Sequence, residues 1–552
     1  MKKLFLLASL VSIGIIGCTN DDFNGASQIG DADNVSMIKV DLKAAGTMAK
    51  TKAAPGSFAY GSEAENAVET VEFYFYDVNG NAYTVSNTGN KIAFNSIKFT
   101  NKESETGKAD DNIEAISDVV LVIKQSETAP PAKVIAVING SNELINKSLK
   151  EAGAVLVESL KNANGKFTMS NSVYLDKNEL LVNAVEILPE NIFAASLNDL
   201  NGIDPGEAIP DDKITSLNIN PIDIYVERVA AKVEVTLVNN GIYDTGIDFG
   251  GKDVYAKVLG WNVTNNTSET KLIKEIDETW KGDALGFEPW NSSDFKRSYW
   301  TKMASGVTPT HGYTFEDLIN ANMSNKYGYY FENTLPAAEE NSVTPGKGNQ
   351  APQLLVAAQL VDVDGKAIEI GEWYGVKYTL SDLQTVMVNT LASKLFVKSE
   401  DAENEFVSVS VKDVTFKQAE ETAESNRYEV SMVAKEGIAY YSPAALKAEN
   451  PTALTSTEVD AIFAGIEVAN MWTTGYTYYY TTISHFGTAK GIVRNHCYNI
   501  TIDEIAGLGT PIYDPKKIIT PEKPDPQDKL NLAARINILS WSLVSQNVNL
   551  GN

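Results

Sequence analysis

The strongest constraint on this chain is a hydrophobic pattern of period two. Ile38, Val40 and Leu42 alternate with Lys39, Asp41 and Lys43, and Val71, Phe73 and Phe75 alternate with Glu72 and Tyr74. A two-residue repeat places one set of side chains on one face of a strand, so each segment reads as a half-buried β-strand. Further strands are expected at Val119–Ile123, Lys133–Ile138, Lys232–Val238, Leu354–Leu360, Phe406–Val411 and Tyr428–Val433. Helical periodicity is confined to Glu143–Lys161, where Leu144, Leu149, Leu156 and Leu160 could share a face, and to Ser456–Val468. Many short strands with few helices predict a mainly β protein built from β-sandwich domains. A length of 552 residues suggests two to four domains, and a boundary is expected around Ile214–Pro221.

The N-terminus reads as an address. Lys2 and Lys3 precede an apolar run from Leu4 to Ile16, too short for a spanning helix and suited to an export signal. The ending Ile15-Ile16-Gly17-Cys18 resembles a bacterial lipobox, in which cleavage leaves a lipid-modified cysteine, here Cys18, as the first residue. Residues 19–34 are polar and read as a tether before the first alternating segment. The small-residue stretch Ala44–Gly56 carries Lys50 and Lys52 and ends in Pro55-Gly56, which is an exposed loop open to proteases.

Composition removes several functions. Asp+Glu number 72 against 46 Lys+Arg, a formal charge of −26, which disfavours any broad phosphate-binding surface and so nucleic acid. Two cysteines and three histidines are too few for a Cys/His zinc cage or a disulfide framework. Asp77-Val-Asn-Gly80 and Asp362-Val-Asp-Gly365 space oxygen ligands as a Ca²⁺ loop would, but lack its distal Glu and match hairpin turns. Cys497 beside His496 lies in an alternating segment and reads as a small buried residue. No nucleophile elbow, zincin or phosphate-loop motif is present, and no catalytic residue, cofactor or metal site is assigned. The arginines are only five, and none precedes Arg228.

The C-terminus is unusual. Residues 511–528 hold five prolines and read as an extended connector with a reach on the order of 50 Å. Beyond it, Leu530, Leu532, Ala534, Ile536 and Ile538 alternate on even positions, then Leu539, Trp541 and Leu543 on odd ones. The switch implies a bulge or bend between two strand segments. So apolar a strand must be covered, either in its own sheet or in that of another subunit.

Seven segments in order carry a resemblance. They are the lipobox; Gly165-Lys-Phe-Thr-Met-Ser-Asn-Ser172; Tyr225-Val-Glu-Arg-Val-Ala-Ala-Lys-Val233; Arg297-Ser-Tyr-Trp300; Tyr330-Phe-Glu-Asn-Thr334; Val493-Arg-Asn-His-Cys-Tyr498; and Ile538-Leu-Ser-Trp541. Together they resemble the fimbrillins of Bacteroidales, subunits of the type V pilus, and most of all the major subunit of the short (minor) fimbriae. The resemblance implies two transthyretin-like β-sandwich domains and export to the outer membrane as a palmitate-bearing lipoprotein. It implies that a protease cuts after the N-terminal strand, which leaves, and that a neighbour's C-terminal strand replaces it (donor-strand exchange).

Mapped here, the expected parts are a signal peptide (1–18), a tether with releasable strand (19–52), two sandwich domains (53–220 and 221–510) and a linker with donor strand (511–552). The releasable strand carries Ile38, Val40 and Leu42, and the donor strand carries Leu532, Ile536, Ile538, Leu539, Trp541 and Leu543. Losing three large aliphatics uncovers about 5–9 kcal/mol of burial, which the larger donor could restore. The best-known oral members of the family are cut after Arg by an arginine-specific protease, whereas the only basic residues in this window are Lys50 and Lys52, with Lys43 at its border. A lysine-tolerant, trypsin-like protease is therefore the expected partner. The others are further copies of the chain, anchor and tip subunits, and host or bacterial surface receptors engaged in adhesion and biofilm formation. The alternatives are an accessory or tip subunit of the same pilus and a carbohydrate-binding or carbohydrate-processing surface lipoprotein, to which the 24 Tyr and 7 Trp could contribute.

Overall fold

The computed structural model describes residues 35–45, 61–95, 100–101, 113–124, 129–176, 178, 180–194, 220–276, 312–320, 327–335, 351–402, 405–419, 426–485, 490–521, 532–538 and 544–547. Cys18, Lys50, Lys52, Leu539, Trp541 and Leu543 lie outside them, as does almost all of the expected cleavage window. The described residues are mainly β, as the alternation predicts.

The first sheet has ten strands. Its path runs Lys91–Asn95, Thr70–Tyr76, Lys133–Ile138, Met169–Asn171, Ile222–Arg228, Val35–Ala45, Ile113–Lys124, Thr100–Asn101, with Val185–Glu186 paired to Lys133–Ile138 and Ile192–Ala194 to Val35–Ala45. Phe73, Phe75, Phe94, Val134 and Ala136 from one half share a core with Val40, Val119, Leu121, Ile222 and Ile224 from the other. The sheet therefore closes over one apolar face, while Tyr74, Tyr76, Ile135 and Val137 on the other are buried in a second cluster.

A second pair of sheets forms a sandwich. One sheet orders Tyr327–Tyr330, Ala231–Leu237, Cys497–Ile505, Leu532–Ile538 and Val544–Asn547; the other orders Ile242–Asp248, Asp253–Thr264, Gln353–Val361, Tyr476–Thr482 and Thr510–Pro511. Val233, Val235, Ile500 and Ile502 of the first meet Tyr243, Ala256, Val258, Val356 and Tyr479 of the second.

Three findings refine the sequence reading. The segment 222–238 was expected to lie whole beyond the boundary near Pro221. Instead Ile222–Arg228 pairs within the first sheet, Ala231–Leu237 pairs within the second sandwich, and the chain crosses at Val229-Ala230. Secondly, Glu143–Lys161 is not one helix. Asn142 and Asn146 adopt φ of 68° and 56°, and the helix is limited to Leu149–Ala152, capped by Ser148. Left-handed backbone stops a helix before its leucine stripe can continue. Leu144 is buried all the same, with Leu149 and Leu160 packed against its cluster. By contrast, Ser456–Ala464 is helical, with a Thr455/Glu458 capping box, as the periodicity there predicts.

Thirdly, residues 362–475 form an unexpected insertion. Gln353–Val361 and Tyr476–Thr482 pair directly, with Gln359 opposite Tyr476, so everything between them loops out of the sandwich. The loop builds its own sheet (Val376–Tyr378, Ile370–Trp373, Ala469–Trp472, Glu429–Ala434, Val414–Gln418) with helices Leu380–Asn389 and Ser456–Ala464. Leu383, Met387, Leu391, Met432, Val459 and Phe463 give it a separate core.

Candidate functional site

The N-terminal strand Val35–Ala45 sits inside its sheet, paired along both edges. Its whole length runs antiparallel to Ile113–Lys124, from Val35 opposite Lys124 to Ala45 opposite Ile113. On the other edge, Ser36–Ile38 pairs antiparallel with Ile192–Ala194 and Val40–Ala44 runs parallel to Ile222–Val226. Val40 is fully buried in the shared core, and Met37 is buried on the opposite face. The register places Ile38 opposite Leu121 and Leu42 opposite Ser117 and Ile224. The strand thus fills a slot walled by Ile113–Lys124 on one edge and by Ile192–Ala194 and Ile222–Arg228 on the other.

Two features surround the slot. In chain order Val35–Ala45 is the first described strand, and residues 46–60 separate it from the next described residue, Gly61. The C-terminal segments Leu532–Ile538 and Val544–Asn547 form an antiparallel hairpin. They join the outer edge of Cys497–Ile505, with Ile536 opposite Ile500 and Ala534 opposite Ile502. The two strand segments expected on either side of Ile538-Leu539 are thus both present. Because the pair lies at the edge of the described sheet, it can leave without parting any other pair of strands in that sheet.

Downstream of the slot the chain is clamped. Glu65 Oε1 accepts from the Tyr329 hydroxyl at 2.6 Å and pairs with Lys232 Nζ at 3.1 Å. Arg228, wholly buried, donates from Nε to the Glu65 carbonyl at 2.9 Å, from Nη1 to Asn495 Oδ1 at 3.2 Å, and from Nη2 to Asn66 Oδ1. Burial alone would raise the Glu65 carboxyl, but the Tyr329 hydroxyl, the Ser62 amide and Lys232 together hold it below the ordinary carboxylate range. A depressed carboxylate stabilises above its unfolded pKa of about 4.3 and loses that contribution as pH falls through the lower folded value. Protection factors of amides 61–69 are therefore expected to hold at neutral pH and drop below about pH 4. Glu65→Gln should flatten that profile; an unchanged acid drop in the variant would assign it elsewhere.

The two sandwiches meet over a buried ionic cluster. Arg494 donates from Nε to Glu332 Oε2 at 2.8 Å and from Nη2 to Glu332 Oε1 at 2.5 Å. Its remaining donors reach the carbonyls of Leu272 (3.1 Å) and Lys271 (2.6 Å) and the hydroxyl of Thr270 (3.2 Å). Beside it Lys274 Nζ contacts Glu227 Oε2. Sequence reasoning missed these roles, yet Glu227-Arg228, Glu332 and Arg494-Asn495 sit inside three of the quoted segments, with Lys274 outside them. What was available beforehand was the rarity of arginine. A wholly buried Arg must be fully paired, so two buried arginines of five mark a specified joint.

Other expected sites resolve as structure. The Asp77 and Asp362 carboxylates accept from amides of their own turns, Asn81 at 2.8 Å and Lys366 at 2.9 Å. Cys497 is buried, and burial pushes its thiol up to about 12. Tyr74, Tyr76, Tyr83, Tyr478 and Tyr498 are all fully buried. Among the described residues no helix is long and apolar enough to cross a membrane.

Comparison with known proteins bears on the C-terminal end. Residues 470–547 match the family model for the C-terminal part of fimbrillin, described as major fimbrial subunit protein type IV. That stretch runs from the last strand of the insertion to the final residue of the hairpin. No curated protein matches the chain. Among solved structures, a fimbrilin from Porphyromonas gingivalis is 14% identical, over 93% of this chain and 99% of that one, with a TM-score of 0.35. The tip fimbrial protein Mfa3 of the same organism, C-terminally truncated, is 10% identical over 92% and 100%, with a TM-score of 0.31. A candidate cell adhesion protein from Parabacteroides distasonis is 13% identical over 92% and 98%, at 0.36. At these scores the weight falls on the C-terminal family match.

Proposed function

With the fimbrillin signature in residues 470–547 as the premise, we propose that this chain is a structural pilus subunit, a fimbrillin of the stalk. It reaches the cell surface as an outer-membrane lipoprotein modified at Cys18. A protease cuts after Lys50 or Lys52, the Val35–Ala45 strand leaves its slot, and the C-terminal hairpin segment of another copy takes its place. Anchor and tip subunits would complete the fibre, whose role is adhesion to host or bacterial surfaces and biofilm formation. No catalytic activity is part of this reading, since fimbrillins are structural.

The observation that carries it is the slot. Both edges of the N-terminal strand are paired and Val40 is wholly buried. Its departure would leave three strands with unpaired backbone edges around an apolar gap, which only another strand can satisfy. The hairpin edge supplies a candidate whose own departure disturbs nothing else.

Truncation before Leu532 tests the donor. The shortened chain is expected to fold, give one cooperative unfolding transition and remain monomeric after protease treatment, with no ladder in unboiled gels. Fibres from the truncated chain would remove the hairpin from the mechanism; loss of folding would assign it to closing its own sheet.

A further inference from the structure

We propose that Lys274 and Glu227 become joined by an intramolecular amide bond, a covalent rivet that pins the segment following Asp253–Thr264 to the Ile222–Arg228 strand of the first sheet. This goes beyond the pilus reading and does not depend on strand exchange.

The pair is placed for condensation. Lys274 Nζ touches Glu227 Oε2, and both side chains are buried, at 0% and 2% exposure. The Ser172 hydroxyl donates to the other carboxyl oxygen, Oε1, at 3.0 Å. Nearby, Arg494 and Glu332 form a second, internally neutral pair. Lys274 is therefore in contact with an electrophilic carbon's oxygen, with a hydroxyl polarising the oxygen that would be kept, in a site that excludes water. Burial, the largest influence on the Lys274 amine, and the neighbouring Arg494 favour its uncharged, nucleophilic form, against the opposing pull of Glu227. Held in contact, such groups react as if at very high concentration.

The atoms balance without any co-reactant. The ammonium and carboxylate together contain one amide and one water. Nζ bonds to Cδ of Glu227, the Cδ–Oε2 bond breaks, and Oε2 leaves as water with two of the three ammonium protons. The third proton remains on the amide nitrogen, and Oε1 remains as its carbonyl, still accepting from Ser172. Two buried charges disappear while the Arg494–Glu332 pair stays balanced, so the product avoids a desolvation penalty that the ion pair carries. Exclusion of water protects the amide from hydrolysis.

The position gives the bond a use. Glu227 lies on Ile222–Arg228, one wall of the slot. Lys274 follows the segment whose Lys271 and Leu272 carbonyls accept from Arg494, three residues before the Cys497–Ile505 strand that carries the C-terminal hairpin. The backbone at Val229-Ala230 already joins the slot wall to the second sandwich, and the amide adds a second covalent link that closes the chain between residues 227 and 274, where an ion pair could open under tension.

Tryptic mapping of the folded full chain, denatured before digestion, reads the bond directly. Cleavage after Lys213, Arg228, Lys271 and Lys281 should release residues 214–228 and 272–281 as one joined species, lighter than the two peptides by one water. Fragmentation should place the junction at Glu227 and Lys274. Recovery of separate peptides, with normal cleavage after Lys274, would overturn the proposal and leave an ordinary ion pair. Intact mass gives a second reading: loss of one water expected in the parent chain and not in Lys274→Met, and sequence mass in both if the bond does not form.

Discussion

Fixing the N-terminal strand in its slot should abolish polymerisation completely. Val40 and Val119 are directly opposite one another in the antiparallel register, and both are buried. Directly opposed positions on adjacent strands fall within the span a disulfide bridges. In the oxidised Val40→Cys/Val119→Cys chain, the protease still cuts the loop, but the strand stays tethered and no donor can enter. Reduction should return assembly to the level of the parent chain. Native thiols do not interfere at the joint, since Cys497 is buried and its thiol is pushed up to about 12. The expected effect is all-or-none because the slot holds one strand. Burial of Met37 and Val40 contributes about 3–6 kcal/mol, before the backbone bonds on both edges are included. Spontaneous displacement of an uncut strand would be correspondingly rare. Equal fibre growth in oxidised and reduced samples would mean that the strand need not leave.

Arg494→Met should cost about 3–5 kcal/mol of folding stability, among the largest effects of any single substitution in the chain. The guanidinium is wholly buried and satisfies both Glu332 oxygens and two backbone carbonyls. Its removal leaves Glu332 buried without its ionic partner, with the Thr270 hydroxyl as a remaining donor, and takes the guanidinium donor from the Lys271 carbonyl. Glu332→Met should be equally harmful, since it orphans Arg494. The double variant should recover much of the loss, because two apolar groups need no partners. Urea unfolding of the three variants measures the coupling. Single losses below about 1 kcal/mol would show that the joint is held by packing instead.

Much of the fold was legible in the alternation. Thr70–Tyr76, Lys133–Ile138, Gln353–Val361 and Glu429–Ala434 lie where the period-two runs place them. Burial of one face is a local demand that a short sequence expresses in full. The leucines of 143–161 misled for the converse reason. They are apolar because they pack, and Asn142 and Asn146, which take left-handed backbone, carried the information that they do not pack as a helix. The insertion 362–475 was illegible because nothing local announces that its flanking strands pair with each other. Sheet membership of Ile222–Arg228 was hidden likewise: alternation says that a strand has an inner face, not which sheet supplies it. The slot was readable from Val40 and its neighbours, whereas the ionic joint was not. Glu65, Glu227, Lys274 and Glu332 are ordinary charged residues in the sequence and become exceptional only when the fold buries them together.

The acidic excess that argued against nucleic acid fits an exposed polymer, whose subunits gain solubility and spacing from shared negative charge. Scarcity of arginine is the more informative number. It leaves Lys50 and Lys52 as the cleavable positions within Ala44–Gly56 and concentrates Arg228 and Arg494 at the joint.

The most direct test of the central claim is the N-terminal residue of subunits recovered from assembled fibres, read by mass spectrometry. Release of the slot strand requires that they begin at Thr51 or Ala53, immediately after Lys50 or Lys52, with Val35–Ala45 missing. Fibre subunits that begin at Cys18 and retain Val35–Ala45 would contradict it.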